Sequence, residues 1–497
     1  MTYLLSIDQG TTSSRATIFT QAGEPIASAA RGFTQHYPQP GWVEHDPEEI
    51  WESQLAALQE TLAKADIPTS RIAAIGITNQ RETTLVWERA TGRALSRAIV
   101  WQDRRTAERT DLLKRDGVEP LVRERTGLLL DPYFSASKLG WLLDELPGLR
   151  ERAQRGEICF GTVDSWLIFR LTAGRSHVTD LSNASRTLLF NIHTLSWDDD
   201  LLRLFDIPRA MLPEVLPNAS RFGVTSAEIA GGEIAITGVA GDQQAALLGQ
   251  GCLTSGMAKA TFGTGAFVVM NCGEQGSCGE GVLTSIGWQL PGEKVQYALE
   301  GSIFIAGAAI EWLKEGLGII AEAAEVEALA ASVPDSGGVY LVPALTGLGT
   351  PYWDPHARGV IAGLTRGSGK AQLARAALEA IAFQTVDAIR AMEAASGVPL
   401  SELRVDGGAT RNNLLLQMQA DLLGAPVLRP RCTETTSLGA ALMAGIGAGV
   451  IDRAAVAQSW ALDRRFSPEL DEGRREELCR GWKKAVRLSL GWERAPL

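Results

Sequence analysis

Short apolar runs broken by Gly, Thr and Asp alternate along this chain with longer stretches where apolar residues recur every third or fourth position. Leu4, Leu5 and Ile7 form the first run and Ala16, Thr17, Ile18 and Phe19 the second, with Asp8, Gln9, Gly10 and a Thr/Ser cluster between them. Two apolar runs around such a turn predict a tight β-hairpin. Residues 257–270 repeat the plan about 250 residues later, with Gly263-Thr264-Gly265 as the turn, a weak internal repeat that suggests two similar lobes. Buried strands are predicted over 71–78, 234–240 and 403–406, each ending in polar or glycine residues. Shorter strands are expected at 85–87 and 98–101. Asp46-Pro47-Glu48-Glu49 marks a helix start by its N-cap, its proline at the first helical position and its acidic first turn. Apolar spacing extends that helix through Leu62 and predicts others over 137–143, 370–395 and the small-residue stretch 433–445. Another helix is expected to open within 301–313.

Strands alternating with helices indicate an α/β chain, and 497 residues suffice for two or more domains, each with its own core. Hydrophobic residues make up 45% and the net charge is −11, which argues against nucleic acid as a partner. No apolar run reaches the roughly 18 residues a membrane-spanning helix needs, and a strand so near the first residue leaves no room for a signal peptide. The six cysteines are scattered, only Cys272 and Cys278 being close, without metal-like pairing. A cytoplasmic enzyme with free thiols is the expectation.

The opening turn offers Thr11, Thr12 and Ser13, with backbone N–H groups and hydroxyls able to cradle phosphate oxygens. Asp8 beside it can hold Mg²⁺ directly or through water, and Arg15 adds a fixed positive charge. An ordinary Ser/Thr-rich hairpin is the alternative. Arg81-Glu82 after a buried strand supplies donors and an acceptor together, as a small polyol needs; a surface ion pair would look the same. Trp101 and Tyr133 read equally as substrate walls or as core aromatics. Asp242, at a strand end and a helix start among small neighbours, suits a base that takes a proton from a hydroxyl, or an N-cap. Gly407-Gly408 permits close backbone approach to a flat ligand, and Asn412 can hydrogen-bond an adenine or ribose edge.

These stretches together resemble the sugar and polyol kinases of the sugar-kinase/actin/heat-shock-chaperone ATPase superfamily, and within it the glycerol branch. The resemblance rests on residues 8–15, 76–84, 100–106, 182–187, 240–247, 262–265 and 405–409 and spans nearly the whole chain. It implies two ribonuclease-H-like (actin-like ATPase) domains flanking a nucleotide cleft. The first, 1–250, would hold most of the glycerol site, and the second, 251–497, most of the adenine nucleotide site. The implied activity is ATP-dependent phosphorylation of glycerol to sn-glycerol 3-phosphate. A related kinase for a pentulose, or an actin- or chaperone-like ATPase switch, is the alternative. Arg81, Glu82, Tyr133, Asp242 and Gln243 would bind glycerol, with Trp101 and Phe267 walling its carbon chain and Asp242 as base. Thr11, Thr12, Ser13, Arg15, Thr264, Gly307, Glu311, Gly408 and Asn412 would contact ATP, and Asp8 would serve Mg²⁺. At Glu311 the resemblance leads one to expect Gln. A homo-oligomer, dimer or tetramer, is also expected.

Overall fold

The computed structural model describes residues 2–276 and 279–493. Cys278 lies outside the described residues; the other five cysteines are free. The opening hairpin forms as expected, β1 (Tyr3–Gln9) pairing antiparallel with β2 (Ser13–Thr20) from Tyr3↔Thr20 to Gln9↔Ser14. Then follow β3 (Pro25–Gly32), β4 (Ile72–Asn79), β5 (Gly223–Val224) and β6 (Ala235–Gly241). They make a six-stranded sheet ordered β5-β6-β4-β1-β2-β3. β4 runs parallel to both β1 and β6, so the polar ends of all three emerge on one edge, where open α/β sheets bind ligands.

The second half repeats this arrangement. Its strands are β7 (Met257–Phe262), β8 (Ala266–Gly273), β9 (Leu283–Trp288), β10 (Gln296–Ile303), β11 (Glu402–Asp406), β12 (Val427–Pro430) and β13 (Leu462–Phe466). The sheet order is β9-β10-β8-β7-β11-β12-β13. Without the edge strands β5, β9 and β13, both sheets have one order: an antiparallel three-stranded meander, then two strands parallel to its first. That is the ribonuclease-H-like order, and its duplication is the two-domain actin-like fold.

Helix α1 (Pro47–Ala65) starts as predicted, Asp46 accepting a hydrogen bond from the Glu48 amide. Its Ile50, Ala57 and Leu58 bury against Leu5, Ile7 and Ile18 of the first sheet. Between β4 and β5 the chain departs from the repeat. Helix α2 (Ser135–Glu145), two residues longer at its start than the spacing suggests, builds a separate core with Phe134, Leu188, Leu201 and Phe205. The 98–101 strand is only Ala98–Ile99. The helix expected within 301–313 begins at Gly307 because β10 runs on to Ile303, hydrogen-bonded to β8.

α3 (Asp242–Gly249), α4 (Lys370–Ser396), α5 (Asn413–Leu423) and α6 (Thr435–Gly447) complete the elements that place the site. α6 comes from the second half, yet its Leu438, Leu442 and Met443 share one core with Leu4, Ala74 and Ala240 of the first sheet and with Ala245 and Leu248 of α3. Glycine makes this approach possible. A Cβ on Gly439 would collide with the Ala245 carbonyl, one on Gly249 with the Thr435 carbonyl, and one on Gly76 of β4 with the Ala440 carbonyl. The small residues at 433–445 thus let the second half seat itself on the first.

Candidate active site

Parallel strands β4 and β6 end side by side, so Arg81 and Asp242, 161 positions apart in sequence, face each other. Arg81 Nε lies 3.1 Å from Asp242 Oδ1, which also accepts from the Gln243 amide at 2.7 Å. Asp242 is the first residue of α3, whose N-cap is Gly241, so the N-cap reading fails. Its side chain is 34% exposed, and Oδ2 has no partner among the described residues. Arg81 is buried and would be costly to keep charged there alone. Glu300 of β10 resolves this: its oxygens accept from Arg81 Nη1 at 2.5 Å and Nη2 at 3.0 Å, the bidentate arrangement that fixes a guanidinium plane.

A second buried arginine, Arg186, donates through Nε to Glu82 Oε1 at 2.6 Å and through Nη2 to Glu300 Oε1 at 3.3 Å. Burial alone would raise the Glu300 carboxyl, but Arg186 and Arg81 outweigh it and pull it down to about 2. Burial leaves Glu82 raised despite the same two arginines. Glu82 has φ +62°, a left-handed backbone that persists only where its surroundings enforce it. Here the Ser135 and Thr84 hydroxyls donate to its carbonyl, at 2.9 and 3.0 Å.

Tyr133 joins this cluster through its ring, 5.5 Å from the Arg186 guanidinium and edge-on to Trp101 at 5.6 Å. Trp101 in turn donates from Nε1 to Thr11 Oγ1 at 3.0 Å, linking the aromatic wall to the opening turn. Phe267 is half-buried on β8, opposite Thr261. No ring contact or hydrogen bond joins it to Trp101 or Tyr133 among the described residues. Gln243 accepts from Lys259 Nζ, whose residue is wholly buried on β7.

The two hairpin turns are laid out alike. In the first, the Gly10 amide donates to the Ser13 carbonyl at 2.9 Å, and in the second the Gly263 amide donates to the Gly265 carbonyl at 2.9 Å. Thr12 and Thr264 are exposed, and their hydroxyls have no partner among the described residues. The Thr264 carbonyl accepts from Ala306 and Ala308, and the Gly307 amide donates to Gly263, docking the short helix Gly307–Glu311 on the second turn. Glu311 is exposed, without an ion pair or hydrogen bond among the described residues. Asp8 Oδ2 accepts from Ser437 Oγ of α6 at 2.6 Å. Burial pushes the Asp8 carboxyl up to about 6, against the opposing Ser437 hydroxyl and Arg15. Arg15 pairs with Glu434, just ahead of α6. Gly408 opens onto empty space, beside a groove of about 590 Å³ lined in part by Gly407, Arg411, Arg431 and Glu434. Asn412 Oδ1 is already engaged as the N-cap of α5, accepting from the Leu415 amide at 2.9 Å, while its NH₂ group has no partner among the described residues.

Glu300, Arg186 and Lys259 were missed by the sequence reading. The first two matter because Arg81 and Glu82 lie 3.9 Å apart, and Glu300 and Arg186 give each of these buried charges a closer partner. Their only sequence signal is charge inside otherwise apolar or small-residue strands and turns: Glu300 in Ala-Leu-Glu-Gly, Lys259 in Met-Ala-Lys-Ala, Arg186 in Ala-Ser-Arg-Thr.

A paired ribonuclease-H-like fold, with a turn on each lobe and a carboxylate–guanidinium cluster between the strand ends, defines a small-molecule kinase of the actin-like ATPase architecture. The chain belongs to the FGGY family of carbohydrate kinases: the family's N-terminal domain matches residues 3–249 and its C-terminal domain residues 258–448. It is 74% identical over 494 residues to a glycerol kinase of Citrifermentans bemidjiense, covering 99% of this chain and all of that one. A glycerol kinase of Thermus brockianus is 58% identical over 493 residues, 99% of both chains. The crystal structure of Plasmodium falciparum glycerol kinase with ADP superposes with a TM-score of 0.93 at 34% identity, over 99% of this chain and 98% of that one.

Proposed function

We propose that this enzyme transfers the γ-phosphoryl group of ATP to a terminal hydroxyl of glycerol, giving sn-glycerol 3-phosphate and ADP. The observation that carries the reading is the Arg81–Asp242 contact at 3.1 Å, which leaves one Asp242 oxygen free and partly exposed at the convergence of the strand ends. Full-length likeness to enzymes named glycerol kinase selects glycerol among polyols.

Phosphoryl transfer asks mainly for alignment and charge neutralisation. Arg81 and Glu82 donate to and accept from two substrate hydroxyls, with Trp101, Tyr133 and Phe267 enclosing the carbons. Asp242 Oδ2 takes the proton of the attacking hydroxyl as the new P–O bond forms. The free hydroxyls of Thr12 and Thr264, with Ser13 beside the first, receive phosphate oxygens from the two sides, and Gly408 lets the base lie against the backbone. Arg15 exchanges Glu434 for phosphate. Mg²⁺ would be held at Asp8, where it would shield phosphate charge. The donor set fits a metal that arrives with the nucleotide: Asp8 is engaged by Ser437 through Oδ2 alone, and Mg²⁺ commonly takes one or two carboxylates with phosphates and water. We assign most polyol contacts to residues 1–250 and most nucleotide contacts to 251–497. No helix among the described residues is long and apolar enough to cross a membrane. We propose a cytoplasmic homo-oligomer, dimer or tetramer.

A coupled assay of ADP release tests the reading. Turnover should require glycerol. Turnover with xylulose in its place would move the chain to the pentulose kinases, and polyol-independent hydrolysis would make it an ATPase switch.

A further inference from the structure

Lys259 is a fully buried lysine with no part in the proton transfer described above. Burial draws its ammonium down from the usual lysine range, while Asp406, Asp242 and Glu300 oppose that loss of charge. Nζ donates to Gln243 Oε1 and lies 3.0 Å from Thr261 Oγ1. An ammonium has three donors and no acceptor. Gln243 must therefore turn its carbonyl oxygen to Lys259, which sends its NH₂ group the other way. That nitrogen has no partner among the described residues and is not buried, so it is open to a ligand, one residue from Asp242.

We propose that Lys259 is a positioning residue that fixes Gln243 as a hydrogen-bond donor to a substrate oxygen. Without it, the amide is free to flip and to present an acceptor to a hydroxyl that Asp242 also needs to accept from. The position of Lys259 on β7 means that the second lobe sets the donor–acceptor pattern of a site whose main contacts come from the first. This inference rests on the reading of the cluster as a polyol site.

Steady-state kinetics of three variants test it. Lys259→Met should raise KM for glycerol by roughly 10- to 100-fold, as expected when a buried polar group loses its partner, with KM for ATP held within about twofold. Gln243→Glu keeps an oxygen for Lys259 but replaces the donor with a second acceptor, and should raise the glycerol KM comparably. The double variant Lys259→Met/Gln243→Ala should be no worse than Gln243→Ala alone, because residues acting through one contact are not additive. Additive effects, or a Gln243→Glu enzyme with the parent's glycerol KM, would overturn the proposal. Gln243→Glu leaves the buried lysine paired, so it can still overturn the proposal if Lys259→Met fails to fold. Glycerol-dependent ADP release by the unaltered enzyme checks the underlying reading separately.

Discussion

Arg81 touches Asp242, Glu300 and Gln244 at once, so each substitution around it has a distinct expected signature. Asp242→Asn keeps the shape but removes the proposed proton acceptor, and kcat should fall by the roughly 10²–10⁴-fold typical of general-base loss. ATP binding, followed by calorimetry, should survive; a variant retaining about half the parent's kcat would leave Asp242 a structural residue only. Glu300 makes a prediction about pH. Its folded pKa of about 2 lies below the ordinary 4.5, so its ionic contribution to stability is fully present above about pH 4.5 and is lost as pH falls toward 2. Glu300→Gln leaves Arg81 and Arg186 short of a carboxylate in the interior, a loss of about 3–5 kcal/mol when a buried pair is broken. The gap in thermal midpoint between the two proteins should therefore be wide at pH 7 and narrow steadily below pH 4.5. A gap independent of pH would mean that the carboxylate charge does not stabilise the arginines.

At the scale of elements, what could be read from the sequence divides by range. The hairpin β1–β2, its repeat β7–β8, the strand ends at Arg81 and Asp242, and the Asp46-capped helix α1 rest on contacts within a few positions, and their patterns are visible in the chain. Glu300 is different: its polarity within β10 reads as an outward-facing strand residue, and only its partner 219 positions away explains its burial. Asn412 was read as a ligand donor because its role as the cap of α5 and its role toward a nucleotide use the same side chain. The small residues of α6 announced close packing, but not that it would occur on the first sheet. That contact supports a direct test. Gly439→Ala places a methyl group against the Ala245 carbonyl, and overpacking of this kind typically costs about 1–3 kcal/mol. Differential scanning calorimetry should show a lower thermal midpoint, whereas an unchanged midpoint would imply that α3 and α6 separate at little cost.

For the whole molecule, the proposed polyol site is finished only when both lobes contribute. Arg81, Glu82 and Asp242 belong to the first, while Glu300, Lys259 and Phe267 are carried by the second sheet. The lobes are tied through Ser437 to Asp8, through Glu434 to Arg15 and through the glycine-lined faces of α3 and α6. At the proposed site, substrate hydroxyls would meet polar groups already desolvated on both sides, and a missing hydroxyl would leave a buried donor or acceptor unpaired. Sites built to hydrogen-bond a particular group reject analogues lacking it by roughly 10⁴–10⁵-fold, far beyond what a methylene in an apolar pocket achieves. Asp242 is one-third exposed, which moderates the expectation here to about 10³-fold in kcat/KM for glycerol over 1,2-propanediol. The loss should appear in kcat as well as KM, because binding energy from the non-reacting hydroxyls also aligns the reacting one. Arg81→Lys, which retains charge but not the two-pronged contact with Glu300, should shrink the preference by lowering glycerol turnover far more than propanediol turnover. Near-equal kcat/KM for the two polyols in the unaltered enzyme would remove Arg81 and Glu82 from the substrate site.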